Sequence, residues 1–433
     1  MTIDSGWTKI IKTNVPVAFS STLEAGKWQN KPGTVFIDGQ IKMMKAEAIK
    51  TWALFVKVQF INTIHAAFQT GATVVVLGFD NYAHVPTCKA MTQRKRSRAV
   101  PNMEFLAGQE LPPVPPDDWN SAMRNRSFKA KVMQLISRNV HHSFQDLKDK
   151  TVIIDFQDEP EVVGMPITLP SVMQMPQIET ARRGECDIKA FSWSKEGETL
   201  LIESTDGDFI PIALVHLEDA ERQGKPVSVI LHRMKTNVTP AKRKREGGFK
   251  REYEYIGMQP ILEWVRRQFP KVTSPARAFA SLVATTGCDF CMNLPQIGPS
   301  TLWKNVALVK HIDTTTAVGM MTALLTLYIK QFKTNAPSTQ EIKASAANVL
   351  PTTKTPLSHT AYAQLFEQVQ ESHRVGQRIK DNMFHAKRML AHVKNTMWTL
   401  QYWTELHEFQ DPLEGDFGFV RHKQIVIFDG TNE

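Results

Sequence analysis

Short runs of β-branched and other apolar residues recur along the first two thirds of the chain, with longer helical patterns between them. The first two runs are Thr34–Ile37 and Thr73–Phe79, and the stretch from Lys42 to Gln69 between them carries apolar residues at helical spacing. The three later runs are Val152–Ile154, Leu200–Ile202 and Val227–Leu231. Apolar strands that alternate with helices are typical of a parallel sheet covered on both faces. The sequence therefore predicts an α/β fold with a twisted, mainly parallel sheet flanked by helices.

Length and charge narrow the class of protein. The chain has 433 residues, which suits two or three domains, or one enlarged domain with an appendage. Lysine and arginine outnumber aspartate and glutamate by 52 to 43, and the resulting net charge of +9 favours a polyanionic partner. Four cysteines are too few for a disulfide-held scaffold. Because we find neither an apolar run of roughly 18 residues nor an N-terminal signal pattern, we expect no membrane segment and no secretion.

Acidic residues stand at or near the ends of the predicted strands, where chemistry gathers in parallel sheets. The seven candidates are Asp38, Asp80, Glu185, Asp187, Asp206, Asp208 and Asp289. Each of them alone also fits a strand end or a helix cap. Together, seven carboxylates at one mouth of a sheet would repel each other unless cations lay between them. Oxygen ligands without histidine favour Mg²⁺ or Mn²⁺, and two such ions can activate a water against a phosphodiester.

The order and neighbours of these acids resemble the flap-endonuclease family of structure-specific 5′ nucleases, across roughly residues 1–310. The matching segments are Phe36–Asp38, Phe79–Asp80, Gly184–Asp187, Ser204–Asp208, Gly287–Phe290 and Leu294–Thr301. The last two together resemble the family's "GCDY…LPGIGPKT" stretch, which is the most specific of the matches. The resemblance implies a PIN-like nuclease fold with a helical arch and a helix–two-turn–helix motif. Beyond the resemblance, the helical pattern from Tyr362 to His407 predicts a mainly helical C-terminal extension.

The resemblance also divides the chain and assigns its metal ligands. It implies a nuclease core at 1–235 with an arch at 81–150, and the rest of the core with the DNA-binding motif at 257–335. The chain's own composition and helical pattern add a basic insertion at 236–256, where the family has a shorter connection, and an extension at 336–433. The first of two Mg²⁺ ions, for which Mn²⁺ can substitute, would be held by Asp38, Asp80, Glu185 and Asp187. The second would be held by Asp206, Asp208 and Asp289.

Basic residues just after Asp80 are candidates for gripping the substrate. Lys89 and Arg96 are seven residues apart, so on a helix they face the same way and could draw the scissile phosphate towards the metals. The alternative is a solvated basic face. The family places a catalytic lysine and arginine at this spacing at the base of its arch. By the same resemblance, the nucleic-acid contacts would be Lys89, Arg94, Arg96, Glu185, Gly287, Asp289 and Gly298.

The turn near Gly298 implies a further ion, because the family bridges this turn to the DNA backbone with K⁺. Gln296 stands where the family favours glycine, and this departure counts against a K⁺ site here. A separate basic run, Lys242–Arg245, fits either a nuclear-import signal or a flexible nucleic-acid contact. We find no sliding-clamp peptide near the C-terminus and expect a monomer.

Three functions follow from these patterns. The first is a two-metal-ion phosphodiesterase that cuts branched or gapped DNA near single/double-strand junctions, as a 5′ flap endonuclease or 5′–3′ exonuclease. The second is an RNA-cleaving relative with the same fold, because a protein that grips the backbone reads phosphate and shape. The third is a catalytically retired nucleic-acid-binding scaffold. A nuclease that has lost its activity has usually lost some of its metal-binding acids, whereas all seven positions are acidic here.

Overall fold

An eight-stranded sheet forms the centre of the protein. The computed structural model describes residues 3–23, 31–44, 50–80, 105–106, 108–155, 161–162, 185–234, 253–288, 291, 297–332, 386–404, 419–422 and 425–428. The strands are β1 (Phe19–Ser20), β2 (Pro32–Asp38), β3 (Val74–Gly78), β4 (Thr151–Asp155), β5 (Glu161–Val162), β6 (Thr199–Glu203), β7 (Ser228–Met234) and β8 (Tyr253–Gly257). Their order across the sheet is β1-β8-β7-β6-β2-β3-β4-β5. A separate antiparallel pair consists of β9 (Phe419–His422) and β10 (Ile425–Phe428).

The five central strands are parallel, and the edges are antiparallel. Strands β7, β6, β2, β3 and β4 pair in parallel, whereas β8 and β1 close one edge and β5 closes the other in antiparallel pairing. The apolar runs of the sequence coincide with these central strands. The prediction of an α/β fold with a mainly parallel sheet is therefore confirmed.

Helices cover both faces of the sheet. They are α1 (Ile3–Asn14), α2 (Gly39–Met44), α3 (Trp52–Val56), α4 (Asn62–Gln69), α5 (Trp119–Ala122), α6 (Arg126–Phe144), α7 (Cys186–Lys189), α8 (Phe209–Arg222), α9 (Met258–Gln268), α10 (Pro275–Thr285), α11 (Pro299–Lys304), α12 (Val306–Val309), α13 (Ala317–Phe332) and α14 (Ala386–Thr404). A π-helical segment, Lys57–Ile61, joins α3 to α4. Within the described ranges, no helix is both long enough and apolar enough to span a bilayer.

Each face of the sheet packs against its own hydrophobic cluster, because successive residues of a strand point to opposite faces. Phe36 belongs to the cluster that also contains side chains of α1, α8, α9, α10, α13 and α14. Its neighbours Val35 and Ile37 belong to the second cluster, with side chains of α3, α4, α5 and α6. Trp398 and Trp403 of α14 are buried in the first cluster. The late helix α14 is therefore part of the same core as the sheet.

Two glycines let aromatic rings pack tightly at the carboxyl ends of the strands. A Cβ atom at Gly78 would overlap the ring of Phe36, and one at Gly39 would overlap the ring of Phe79. Gly39 follows Asp38, and Gly78 lies two residues before Asp80. The absence of a side chain at these two positions therefore leaves room for the rings of Phe36 and Phe79 beside the ends of β2 and β3, close in sequence to Asp38 and Asp80.

We predict that Gly78→Ala lowers the free energy of unfolding by about 1–3 kcal/mol, because the buried Phe36 ring has to move to admit a methyl group. Chemical denaturation measures the change. Gly298→Ala is the matched control, since Gly298 has negative φ and open space around it. Equal stability of the two variants would contradict the packing described here.

Candidate functional site

Asp38 lies at the carboxyl end of β2 and connects two loops. The residue is buried, with 5% of its surface exposed. One oxygen, Oδ1, accepts a hydrogen bond of 3.1 Å from the backbone N–H of Ile41, in the first turn of α2. The other, Oδ2, accepts one of 2.8 Å from the hydroxyl of Ser204, directly after β6. Both oxygens are thus held by neutral donors, and Asp38 forms no ion pair with any described residue.

Asp80 holds the second acidic segment at the end of β3. Its Oδ1 accepts a hydrogen bond of 3.1 Å from the backbone N–H of Cys186, the first residue of α7. Glu185 and Asp187 flank this residue, and both are buried. The bond therefore brings the Glu185–Asp187 segment, more than a hundred residues away along the chain, to the end of β3.

The loop after β6 contributes the third pair of acids. The hydroxyl of Ser204 accepts a hydrogen bond of 3.1 Å from the N–H of Asp206, and Oδ1 of Asp206 accepts one of 3.0 Å from the N–H of Asp208. Asp206 is exposed, whereas Asp208 is buried at the start of α8. Because the same Ser204 hydroxyl donates to Asp38, this loop is tied to the end of β2.

The carboxylates of the site interact electrostatically. Burial raises the pKa of Asp38 from 3.8 to about 7. The hydrogen bonds from Ile41 and Ser204 oppose this rise in pKa, whereas the negative charges of Asp80 and Asp206 add to it. Burial also raises the pKa of the Cys186 thiol well above its usual range, and Asp38, Asp80 and Asp187 contribute to that rise. Several negative charges therefore converge around Cys186 and Asp38.

The donor set has the chemistry that a hard divalent cation requires. Its ligands are carboxylate oxygens, and a cation beside Asp38 would favour the ionised form that burial disfavours. Within the described ranges, however, no group of three or more His, Cys, Asp or Glu side chains is placed to hold a metal ion. Asp289, the seventh predicted ligand, lies outside these ranges. The residues fit a divalent cation in kind, and the described side chains alone do not complete its coordination.

Two charged residues of this region escaped the sequence analysis. Asp155 ends β4 as Asp38 ends β2, and it is fully buried. Its Oδ1 accepts a hydrogen bond of 2.8 Å from the Nζ of Lys189, which is also fully buried. The sequence could have indicated Asp155 as a strand-end acid, because it directly follows the apolar run Val152–Ile154. Nothing in the sequence pairs it with Lys189, 34 positions later.

A second ion pair flanks the acids on the other side. Lys42 of α2 pairs with Glu203, the last residue of β6. Glu203 lies beside Ile37 in the parallel register of β6 and β2. A cation is therefore already present next to the carboxylates, and its charge is balanced by Glu203.

The structure places the two predicted glycines at helix ends. Gly287 follows α10 with a φ of 104°, a conformation that favours glycine. Gly298 directly precedes α11. None of the described hydrogen bonds of these glycines involves the six described acids. Helices on either side of the predicted turn are thus present, whereas Gln296 within it lies outside the described residues.

Several predicted residues lie outside the described ranges. They are Lys89, Arg94, Arg96, Asp289 and the basic run Lys242–Arg245. Their proposed roles remain predictions from the sequence. Hydrogen bonds connect Asp38 with the loop that carries Asp206 and Asp208, and Asp80 with the segment that carries Glu185 and Asp187. The charges of Asp80 and Asp206 act on Asp38, but no three of the six described acids are grouped to hold a metal ion.

Comparison of the chain with known protein families and with curated protein sequences finds no match. The resemblance to flap endonucleases therefore depends on the short motifs alone.

We predict that Asp38→Asn stabilises the metal-free protein at pH 8. The folded-state pKa of about 7 lies above the ordinary value of 3.8, so the folded state holds this proton more tightly than the unfolded state. Stability from this group is present below about pH 4 and is lost as the pH rises through 7. We expect the variant to gain about 2 kcal/mol at pH 8 and nothing at pH 4.

Denaturation in the presence of a chelator at both pH values measures this gain. The exposed Asp117 provides the matched control, and Asp117→Asn should leave the stability unchanged at either pH. A loss of stability at pH 8 on replacing Asp38 would show that its ionised form is favourably paired in the folded protein.

Proposed function

We propose that the protein is a divalent-metal-dependent nuclease that hydrolyses phosphodiester bonds near single/double-strand junctions of DNA. One observation carries the proposal: acids at or after the ends of three parallel strands, and on the short helix α7, lie in two hydrogen-bonded groups, and the charge of Asp80 in one group acts on Asp38 in the other. Acidic groups of this kind, in the crevice at the carboxyl ends of parallel strands, suit metal-assisted hydrolysis of phosphate esters.

The acids divide into two sets around the proposed metal ions. Asp38, Asp80, Glu185 and Asp187 would hold one ion, and Asp206, Asp208 and Asp289 the other. When bound, such ions activate a water molecule and stabilise the charge that develops on the phosphate.

Neutral donors orient the acids of this site. The N–H of Ile41 and the hydroxyl of Ser204 fix the two oxygens of Asp38, and the N–H of Cys186 fixes one oxygen of Asp80. These donors orient the carboxylates without neutralising their charge. No described residue forms an ion pair with Asp38, so a bound cation can balance its negative charge.

Charge also supports a nucleic-acid substrate. A cluster of carboxylates repels a phosphate backbone unless cations intervene, so substrate binding requires positive charge from elsewhere on the chain. The chain carries an excess of nine positive charges, and Lys89, Arg94 and Arg96 follow closely after Asp80. We propose that Lys89 and Arg96 contact the scissile phosphate, and that 81–150 form the gateway for a single-stranded 5′ end.

We also propose a PIN-like fold with a helix–two-turn–helix motif for this chain. The eight-stranded mainly parallel sheet is compatible with a PIN-like fold. In this view α10, Gly287, Gly298 and α11 belong to a helix–two-turn–helix motif that grips the duplex. Lys242–Arg245 would serve either nuclear import or backbone contact.

We predict that Asp208→Asn lowers the rate of flap-DNA cleavage by about a hundredfold or more, because the second ion loses a charged ligand. Binding of the same DNA, measured by fluorescence anisotropy in Ca²⁺, should persist. Glu196→Gln, a neutralisation of equal size at an exposed position before the amino end of β6, should cut at the wild-type rate. Near-wild-type cleavage by the Asp208 variant would remove this residue from the metal site.

Substrate choice is tested with a matched panel of flap, nicked, gapped and single-stranded DNA and the corresponding RNA. We expect cleavage of flap DNA near the junction with Mg²⁺ or Mn²⁺ and none with EDTA. Faster cleavage of RNA would favour the RNA-cleaving alternative. Tight binding without turnover in either metal would favour the retired scaffold and contradict the proposed activity.

A further inference from the structure

A buried ion pair lies directly behind the acids of the site. Lys189 and Asp155 are both fully buried, and their charged atoms are 2.8 Å apart. The second oxygen of Asp155 accepts a hydrogen bond of 3.3 Å from the indole N–H of Trp193. The pair is thus enclosed and hydrogen-bonded on both sides.

The pair belongs to a closed ring of contacts that includes Asp80. The Nζ of Lys189 also donates a hydrogen bond of 3.2 Å to the backbone carbonyl of Phe79, the residue before Asp80. The backbone N–H of Phe79 donates one of 2.9 Å to the carbonyl of Asp155. At the other end of α7, the N–H of Cys186 donates to Oδ1 of Asp80. Both polar backbone atoms of Phe79 and one carboxylate oxygen of Asp80 are therefore tied to β4 or α7.

Burial of such a pair is poorly explained by stability alone. Removing two charges from water costs about as much as their attraction returns, and apolar replacements of similar volume are often neutral or stabilising. The pair carries no net charge, so it adds little to the potential at the acids. Its directional contacts, in contrast, fix a four-residue helix that could not hold its position by its own hydrogen bonds.

We propose that Lys189 and Asp155 are positioning residues that hold Asp80 and the Glu185–Asp187 segment in the arrangement that binds the divalent metal. The inference depends on the proposed function, because it assigns these residues a role in that same site. Neither residue contacts the substrate in this view. They act through Phe79 and α7 on the side chains that do bind.

The test is a double variant, Asp155→Leu with Lys189→Met, which removes both charges together and leaves neither unpaired. We expect its metal-free melting temperature to stay close to that of the wild type. Its affinity for Mn²⁺, measured by electron paramagnetic resonance without substrate, should fall by about tenfold or more. The matched control is Arg233→Met with Glu254→Leu, a buried ion pair between β7 and β8, which should leave Mn²⁺ affinity unchanged.

A milder variant tests the same idea with little risk to folding. Trp193→Phe keeps the ring and removes the N–H that donates to Asp155. We expect Mn²⁺ affinity to fall about threefold, less than in the double variant, because Lys189 remains.

The outcomes separate this inference from the proposed function. If the wild type binds Mn²⁺ and the folded double variant binds it equally well, the positioning role is wrong and the metal site stands. If the wild type itself binds no Mn²⁺, both the proposed function and the positioning role are overturned. Loss of Mn²⁺ affinity in the double variant but not in the control pair supports the inference.

Discussion

Parallel pairing of the central strands imposes the constraint on which the site depends. Every parallel strand has its carboxyl end at the same edge of the sheet, so residues at or just after the ends of β2, β3, β4 and β6 lie along that edge. In this protein those residues include Asp38, Asp80, Asp155 and Asp206. The topology thus brings negative charges close together, and the hydrogen-bonded strands keep them from moving apart. Each acid has to be paired, hydrogen-bonded, exposed or balanced by a cation.

The acids at neighbouring strand ends are stabilised in different ways. Asp155 is neutralised by Lys189 inside the core, and Glu203 by Lys42 near the surface. Among the residues that the structure describes, Asp38 has only neutral donors, and the cost of its burial appears as a pKa of about 7. Ion pairing with a lysine therefore stabilises two acids at this edge, whereas no described lysine pairs with Asp38. Buried carboxyl groups with a strongly shifted pKa are concentrated at functional sites. The raised pKa of Asp38 is therefore a physical reason to propose it as a metal ligand.

Much of the sheet was predictable from the sequence, because buried parallel strands are apolar on both faces and leave continuous runs such as Val74–Leu77. Asp38 and Asp80 were predictable as well, because each of them directly follows one of these apolar runs. The contacts that join them were not. The bonds from Ser204 to Asp38 and from Lys189 to Asp155 cross 166 and 34 positions, and no periodicity encodes such distances. The packing of Phe36 on Gly78 likewise depends on neighbouring strands rather than on local pattern.

The central claim is that the strand-end acids bind divalent cations, and the location of the bound metal tests it most directly. Crystals grown with Mn²⁺ and measured at the manganese absorption edge would show the ion by its anomalous scattering. The account predicts anomalous peaks within coordination distance, about 2.0–2.2 Å, of carboxylate oxygens that include those of Asp38 and Asp80. Peaks only at distant surface sites, with the strand-end acids well ordered and metal-free at saturating Mn²⁺, would contradict it.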